Sequence, residues 1–196
     1  MFPKSNNTLT KLYLEPLFYL FKKNNSTIYL NSNTPFNLVL DIKTEANATY
    51  EVLKKQLEPF HSMHSSWESS KENQNLVKIH LSGNRPIKSV VSELKRHVTI
   101  DGRMDDLKKK YSSDLMPIIS GKYSIFFGCS IFSKTPSKKK LEKFRKLADD
   151  IHKQNKLFRL WGIPEREDVW TLLLINGLDI ISTDRIQKLS NFFKKI

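Results

Sequence analysis

Cysteine is nearly missing from this chain: Cys129 is the single one in 196 residues. No internal disulfide can form, and no Cys-x-x-Cys or Cys/His spacing offers structural zinc, so the sequence argues against thiol redox chemistry and a zinc knuckle. Long apolar runs are missing too, and none has the length needed to cross a bilayer. The opening MFPKSNNTLT lacks the basic segment and apolar stretch of a secretory signal. As written the chain reads as cytoplasmic, with export depending on any signal carried upstream. It has no Gly-rich phosphate loop, no Gly-x-Ser-x-Gly elbow and no aromatic RNA-binding signature. Acidic residues are the scarcer charge, 20 against 33 basic ones, for a net +13. That balance draws phosphates on lipid headgroups, small phosphoesters or nucleic acid. The lysines are spread along the chain, however, and SKKKLEKFRK also carries a helical pattern, so much of the charge reads as solvated surface and nucleic acid is not an expected partner.

What is present is an alternation of two periods. TLTKLYLEPLFYLFKKN places Leu9, Leu12, Leu17 and Leu20 near helical spacing, with Pro16 as a break or kink. FNLVLDIKT is a strand, and EANATYEVLKKQLEPF a helix with Tyr50, Leu53, Leu57 and Phe60 on one face. NLVKIHLSGN, HVTIDGR, MPIIS, LFRLWG and LDIIST read as further strands. IKSVVSELKR, residues 138–154, EREDVWTLLLIN and DRIQKLSNFF read as helices, with Ser137 the N-cap of the second and Gly177 closing the third. GKYSIFFGCSIFSKTP has no assignable period, and HSMHSSWESSKENQN reads as a long surface loop. Strands alternating with helices argue for an α/β fold with parallel strands and right-handed crossovers, as one domain over residues 1–196. The pattern alone leaves open an incomplete barrel or a self-contained open sheet.

TLTKLYLEPL, LVLDIKTEANATYEVLKKQLEPF, LSGNRP, IDGRMDDL, MPIIS and FRLWGIPEREDVWTLLLINGLDIISTD, in this order, resemble the phosphatidylinositol-specific phospholipase C and glycerophosphodiester phosphodiesterase-like superfamily, in its bacterial and fungal branch. The resemblance implies a TIM (β/α)8 barrel phosphoric diester hydrolase, metal-assisted through one calcium or magnesium ion, acting on a phosphodiester small molecule or lipid headgroup. It also implies that strands three to eight are present and the first two β/α units absent. With them would go the family's His-Asn pair, its Glu and Asp ligands and its second His. The chain alone is then expected to bind the ion weakly and to be inactive without an N-terminal complementing fragment. The alternative is a non-catalytic phosphate- or headgroup-binding protein on the same fold. Open strand edges would favour self-association.

On this resemblance Asp41, at the end of its strand, matches the third-strand metal ligand; the motif alone also fits a capping or loop carboxylate. Lys43, two residues on and on the same side, can meet a phosphoryl oxygen or pair with Asp41. Arg85, after a glycine turn, can fork onto a phosphate or be solvated. Trp161 can wall the alcohol part of a substrate or pack as a strand-end aromatic. Arg103, Ser120, Thr183 and Asp184 fall near strand ends as further rim positions, Thr183 and Asp184 doubling as N-cap residues for the last helix. His61 and His64, three apart in a Ser-rich segment without a carboxylate or Cys partner, read as surface loop. Asn6, Asn24 and Asn47 open chance sequons.

Overall fold

The computed structural model describes residues 7–68, 71–128 and 136–195. They fall into two compact units that divide between Ile100 and Asp101. Cys129 lies outside the described residues.

In the first unit the Thr8 hydroxyl accepts from the Lys11 N–H at 3.2 Å. A wide π-turn, Thr10–Leu14, then runs into α1 (Glu15–Lys23). Pro16 falls just where the π-turn passes into α1, so the helix departs from α geometry immediately ahead of the proline read as a break or kink. β1 (Phe36–Ile42) precedes α2 (Ala46–Leu57), which is capped by Glu45: its carboxylate accepts from the Asn47 N–H at 3.0 Å and the Ala48 N–H at 2.6 Å. Those backbone bonds hold the Glu45 carboxyl below the usual carboxylate range. A 3-10 turn, Glu58–Met63, follows, and Phe60 meets Phe18 edge-on at 5.5 Å, anchoring α1.

Next come β2 (Ser66–Glu68), β3 (Lys71–Asn73), β4 (Val77–Gly83), α3 (Ile87–Ser92), β5 (Lys95–Arg96) and the start of β6 (Thr99–Arg103). β1 and β4 are parallel in register from Phe36↔Val77 to Ile42↔Gly83, and β4 meets β6 at His80↔Thr99 and Leu81↔Ile100. Leu38, Ile79, Leu81 and Ile100 bury one face of this ladder, with Tyr50, Leu53 and Leu57 of α2 also in the core. The stretch read as a surface loop instead makes a small antiparallel sheet, β3-β2-β5. Trp67 explains it: the ring is buried and the Arg96 guanidinium lies 5.1 Å from its centroid. One large residue among serines and charges leaves too little alternation to read.

In the second unit the end of β6 continues to β7 (Ile118–Lys122), α4 (Tyr123–Phe127), α5 (Lys138–His152), β8 (Leu157–Trp161), α6 (Glu167–Leu174), β9 (Ile180–Ile181) and α7 (Ile186–Phe193). β6, β7, β8 and β9 pair in parallel in that order. Phe144 of α5 lies 5.0 Å from Phe158 of β8, and Phe126 meets both rings edge-on. Ser137 takes the N-cap position of α5, although its hydroxyl makes no capping bond.

Gly177 closes α6 with φ +94°, and an added Cβ would come within 2.8 Å of the Ala148 Cβ. Gly177→Ala is therefore expected to cost about 1–3 kcal/mol, from left-handed strain plus overpacking. Urea unfolding would show the cost as a lower midpoint at unchanged slope.

The TIM-barrel expectation is not met. Barrel closure requires every strand to be paired on both sides, whereas among the described residues β1 pairs only with β4 and β9 only with β8. The number of strands differs as well, because β2, β3 and β5 add a separate sheet. Regular β/α alternation also fails: a 3-10 segment, Met104–Lys109, joins β6 to β7, and α4 is a single turn. The class is α/β with parallel strands. The assignment of those strands as three to eight of an eight-stranded barrel does not hold.

Candidate functional site

Alternate residues of a strand share a face, and registered neighbours in a parallel ladder share it too. In the second unit Arg103 is registered with Ser120, Ser120 with Arg159, and Lys122 with Trp161. Asp101, Arg103, Ser120, Lys122, Arg159 and Trp161 therefore project from one side of the sheet, and Ile119, Phe158 and Leu160 from the other. The second side is the aromatic core already described. The first carries Ile118, Leu157 and Ile180 but also this charged and polar cluster, although strands of a parallel sheet would ordinarily be apolar on both faces.

Asp101 organises this polar side. Its carboxylate is fully buried. The Ser120 hydroxyl donates to Oδ1 in a very short bond, Arg103 Nη1 donates to Oδ2 at 2.8 Å, and Arg159 Nη1 donates to Oδ2 at 3.2 Å. Arg159 Nη1 also reaches Ser120 Oγ at 3.2 Å, and its Nε donates to Ser182 Oγ at 3.1 Å. Arg103 is held further by its N–H on the Asp106 carboxylate at 2.9 Å, with Lys109 on the other oxygen of Asp106 at 3.1 Å. The side chains of Arg103 and Arg159 keep 33% and 20% of their surface exposed. Two guanidinium groups on one carboxylate leave a net positive charge on the face, and the shared carboxylate fixes both forks before a ligand arrives.

Two residues further toward the strand ends, Lys122 Nζ sits 5.4 Å from the centroid of the half-exposed Trp161 ring. Lys122 also lines a cleft of about 520 Å³ with Tyr123, Gly162, Glu165, Asp184 and Arg185. Parallel α/β sheets place ligands just beyond the carboxyl ends of their strands, which is where this cleft lies. Burial raises the Tyr123 hydroxyl above the ordinary phenol value, so it stays a neutral hydrogen-bonding group.

Thr183 and Asp184 do not cap α7 directly. The Thr183 hydroxyl donates to Glu165 Oε2 at 2.6 Å and accepts from the Arg185 N–H at 2.9 Å, while the Asp184 N–H donates to Glu165 Oε1 at 3.1 Å. Glu165 thereby ties down the turn ahead of α7 and fixes one wall of the cleft, while α7 itself has no side-chain cap.

Ser120 and Arg103 thus belong to one network, and Trp161, Thr183 and Asp184 lie at or near the cleft. Asp41, Lys43 and Arg85 belong to the first unit. Lys43 Nζ meets Asp41 Oδ2 at 2.6 Å, a pair whose side chains are 78% and 50% exposed. Gly83, at φ +72°, lies so close to this aspartate that an added Cβ would collide with Asp41 Oδ1 and the Ile42 carbonyl oxygen. Asp41 and Lys43 line a groove of about 400 Å³ beside β1 with Leu9 and Tyr13. Arg85 is half-buried in the turn ahead of α3, its carbonyl accepting from the Ile87 N–H at 2.9 Å. Among the described residues no three His, Cys, Asp or Glu side chains converge as a metal site. The Asp41 carboxylate is matched here by the Lys43 ammonium.

Of the histidines, His80 is buried with Nδ1 2.6 Å from Thr99 Oγ1 and Nε2 2.9 Å from Asn37 Oδ1. His64, read as a surface-loop residue, is in fact 1% exposed, and neither ring nitrogen has a hydrogen-bond partner among the described residues. Burial pushes its pKa down to about 4, with His97 and His61 adding in the same direction. Met63 and Trp67, close by in the chain, are buried as well. The sequence reading missed Asp101 and Arg159 as site residues. A signal was present in LFRLWG, where an arginine interrupts a strand between Phe158 and Leu160.

A family model described as AIM6-like phosphodiesterase domain matches residues 3–101. No curated protein and no solved structure gives a match. The matched stretch carries the β1-β4 ladder, Asp41, Lys43 and Arg85, and ends on the buried Asp101; spanning just over half of the sequence, it shows that the chain belongs to the AIM6-like phosphodiesterase domain family.

Proposed function

We propose that this chain is a phosphoric diester hydrolase relative of glycerophosphodiester or phospholipid-headgroup type that grips its phosphoryl group on the polar strand face of the second unit. One observation carries the reading: Arg103 and Arg159 share the buried carboxylate of Asp101, with Lys122 and Trp161 one register step closer to the strand ends. Phosphodiester oxygens match the guanidinium fork, and an aromatic ring beside the lysine suits the apolar part of an alcohol. Asp41 remains a proposed ligand of one divalent cation, calcium or magnesium, in the first unit, and Lys43 and Arg85 remain proposed phosphate ligands there, Lys43 acting once its pairing with Asp41 is exchanged for phosphate.

Turnover is proposed to be slow. Diester cleavage needs a group that takes a proton from the nucleophile and one that returns a proton to the leaving alkoxide. His80 has both nitrogens committed, and His64 is shut away from solvent. The Ser120 hydroxyl is spent on Asp101 and is 1% exposed, so it is poorly placed to attack. Without His80 or His64 to relay these protons, about 10²- to 10⁴-fold in rate is forfeited. Hydrolysis of a chromogenic phosphodiester, with calcium or with magnesium, tests this: release within about tenfold of the buffer rate is expected, and multiple rapid turnovers by the purified chain would overturn the slow-turnover reading. The same face would serve a headgroup-binding protein without chemistry, since the two guanidinium groups held on Asp101 can grip a phosphoryl oxygen whether or not it is cleaved.

A further inference from the structure

The helical segment at the start of the first unit is apolar on two sides, and only one of them is used. Leu14, Leu17 and Phe21 are buried. On the other side Leu12 is 50% exposed, Tyr13 52%, Tyr19 64% and Leu20 38%. Leu12, Pro16, Tyr19 and Lys23 follow one another at spacings of four, three and four, which aligns them along one side of the helix. A helix apolar all round is ordinarily buried all round, so this outer face calls for a partner.

The charges say which partner. Lys11, Lys22 and Lys23 accompany the apolar side chains against Glu15 as the segment's one carboxylate. Lys22 Nζ lies 5.1 Å from the Phe18 ring centroid and Lys23 Nζ 5.9 Å from that of Tyr19, so the ammonium groups ride at the edge of the aromatic surface. A second copy would set three lysines against three lysines, whereas a layer of anionic headgroups over acyl chains satisfies the lysines, tyrosines and leucines together.

We infer that this face, from Leu12 to Lys23, is a docking surface for an anionic lipid layer, on which the helix lies in the plane of the headgroups with Leu12, Tyr19 and Leu20 inserted. No helix among the described residues is long and apolar enough to cross a membrane, and the docking needs none. It is independent of whether the chain binds or cleaves phosphodiesters.

Flotation of the full chain with phosphatidylcholine vesicles, with and without a third of phosphatidylserine, tests the inference. Retention is expected on the anionic vesicles, falling as salt is raised. The combined Leu12→Ser, Tyr19→Ser and Leu20→Ser variant is expected to partition at least about tenfold less, with an unchanged thermal melt. Leu94→Ser, an exposed leucine outside this helix, should behave as the parent does. No retention on anionic vesicles, or retention that the triple variant leaves intact, would overturn the inference. So would a dimer abolished by the same variant without vesicle binding, which would give the face to a second copy.

Discussion

Replacing Asp101 by alanine is expected to lower the unfolding free energy by about 3–5 kcal/mol, the largest loss foreseen for any single polar residue of the chain. The carboxylate has no exposed surface and accepts from Ser120, Arg103 and Arg159. Its removal leaves two part-buried guanidinium groups facing each other without the charge that holds them, along with a buried hydroxyl stripped of its acceptor. Asp101→Asn, which keeps an acceptor but not the charge, should fall between the parent and alanine. The contrast with Asp41 sharpens the test, since Asp41 and Lys43 form a shorter ion pair but an exposed one. Asp41→Asn is therefore expected to change stability by less than about 1 kcal/mol. Denaturant unfolding followed by circular dichroism would check both, and equal effects at the two positions would mean that Asp101 is not the organising charge of its face.

Acid is expected to destabilise the first unit through His64. Its folded pKa of about 4 lies below the ordinary value of 6.5, because the imidazolium would be buried without a partner. Between those two values the unfolded chain binds a proton that the folded chain refuses. The contribution is complete above pH 6.5, shrinks as the pH falls toward 4, and is gone below that. The shift corresponds to about 3 kcal/mol at full loss. Burial also lowers the pKa of His97, which steepens the slope in the same direction. His64→Leu is expected to flatten the stability profile between pH 6.5 and 4, because a neutral apolar side chain suits a site that offers no hydrogen bonds. An unchanged acid slope in that variant would place the sensitivity elsewhere.

The elements most easily read were those whose burial is one-sided and long. The α2 stripe of Tyr50, Leu53 and Leu57 and the α5 stripe of Phe144, Ala148 and Ile151 are buried as their spacing requires. Pairing was harder, because a run such as FNLVLDI is equally apolar in a closed barrel and in an open ladder. Nothing in those residues says whether the outer edge of β1 has a neighbour. The β3-β2-β5 sheet was missed because its one driving residue, Trp67, is surrounded by serines and charges. The polar face is legible only in fragments: Arg103 and Ser120 stand out as strand-end residues, while Arg159 lies within the apolar run LFRLWG. Joining them requires the registers Arg103↔Ser120 and Ser120↔Arg159, which depend on strands far apart in sequence. The phosphodiesterase resemblance rests on six stretches spread along the chain, and the matching family model covers those that lie before Asp101. Strand-helix-strand spacing such as that of residues 160–184 is shared by many α/β chains, whereas LDIKTE and LSGNRP lie inside the matched region.

Isothermal titration of the chain with a small glycerophosphodiester tests the phosphoryl-gripping face most directly. Saturable binding is predicted, weakened at least about tenfold in Arg159→Met and in Lys122→Met but unaltered in Lys195→Met, whose side chain pairs with Glu167 on the surface. Absence of saturable binding by the parent chain, or equal affinities across all four proteins with folding intact, would contradict the account.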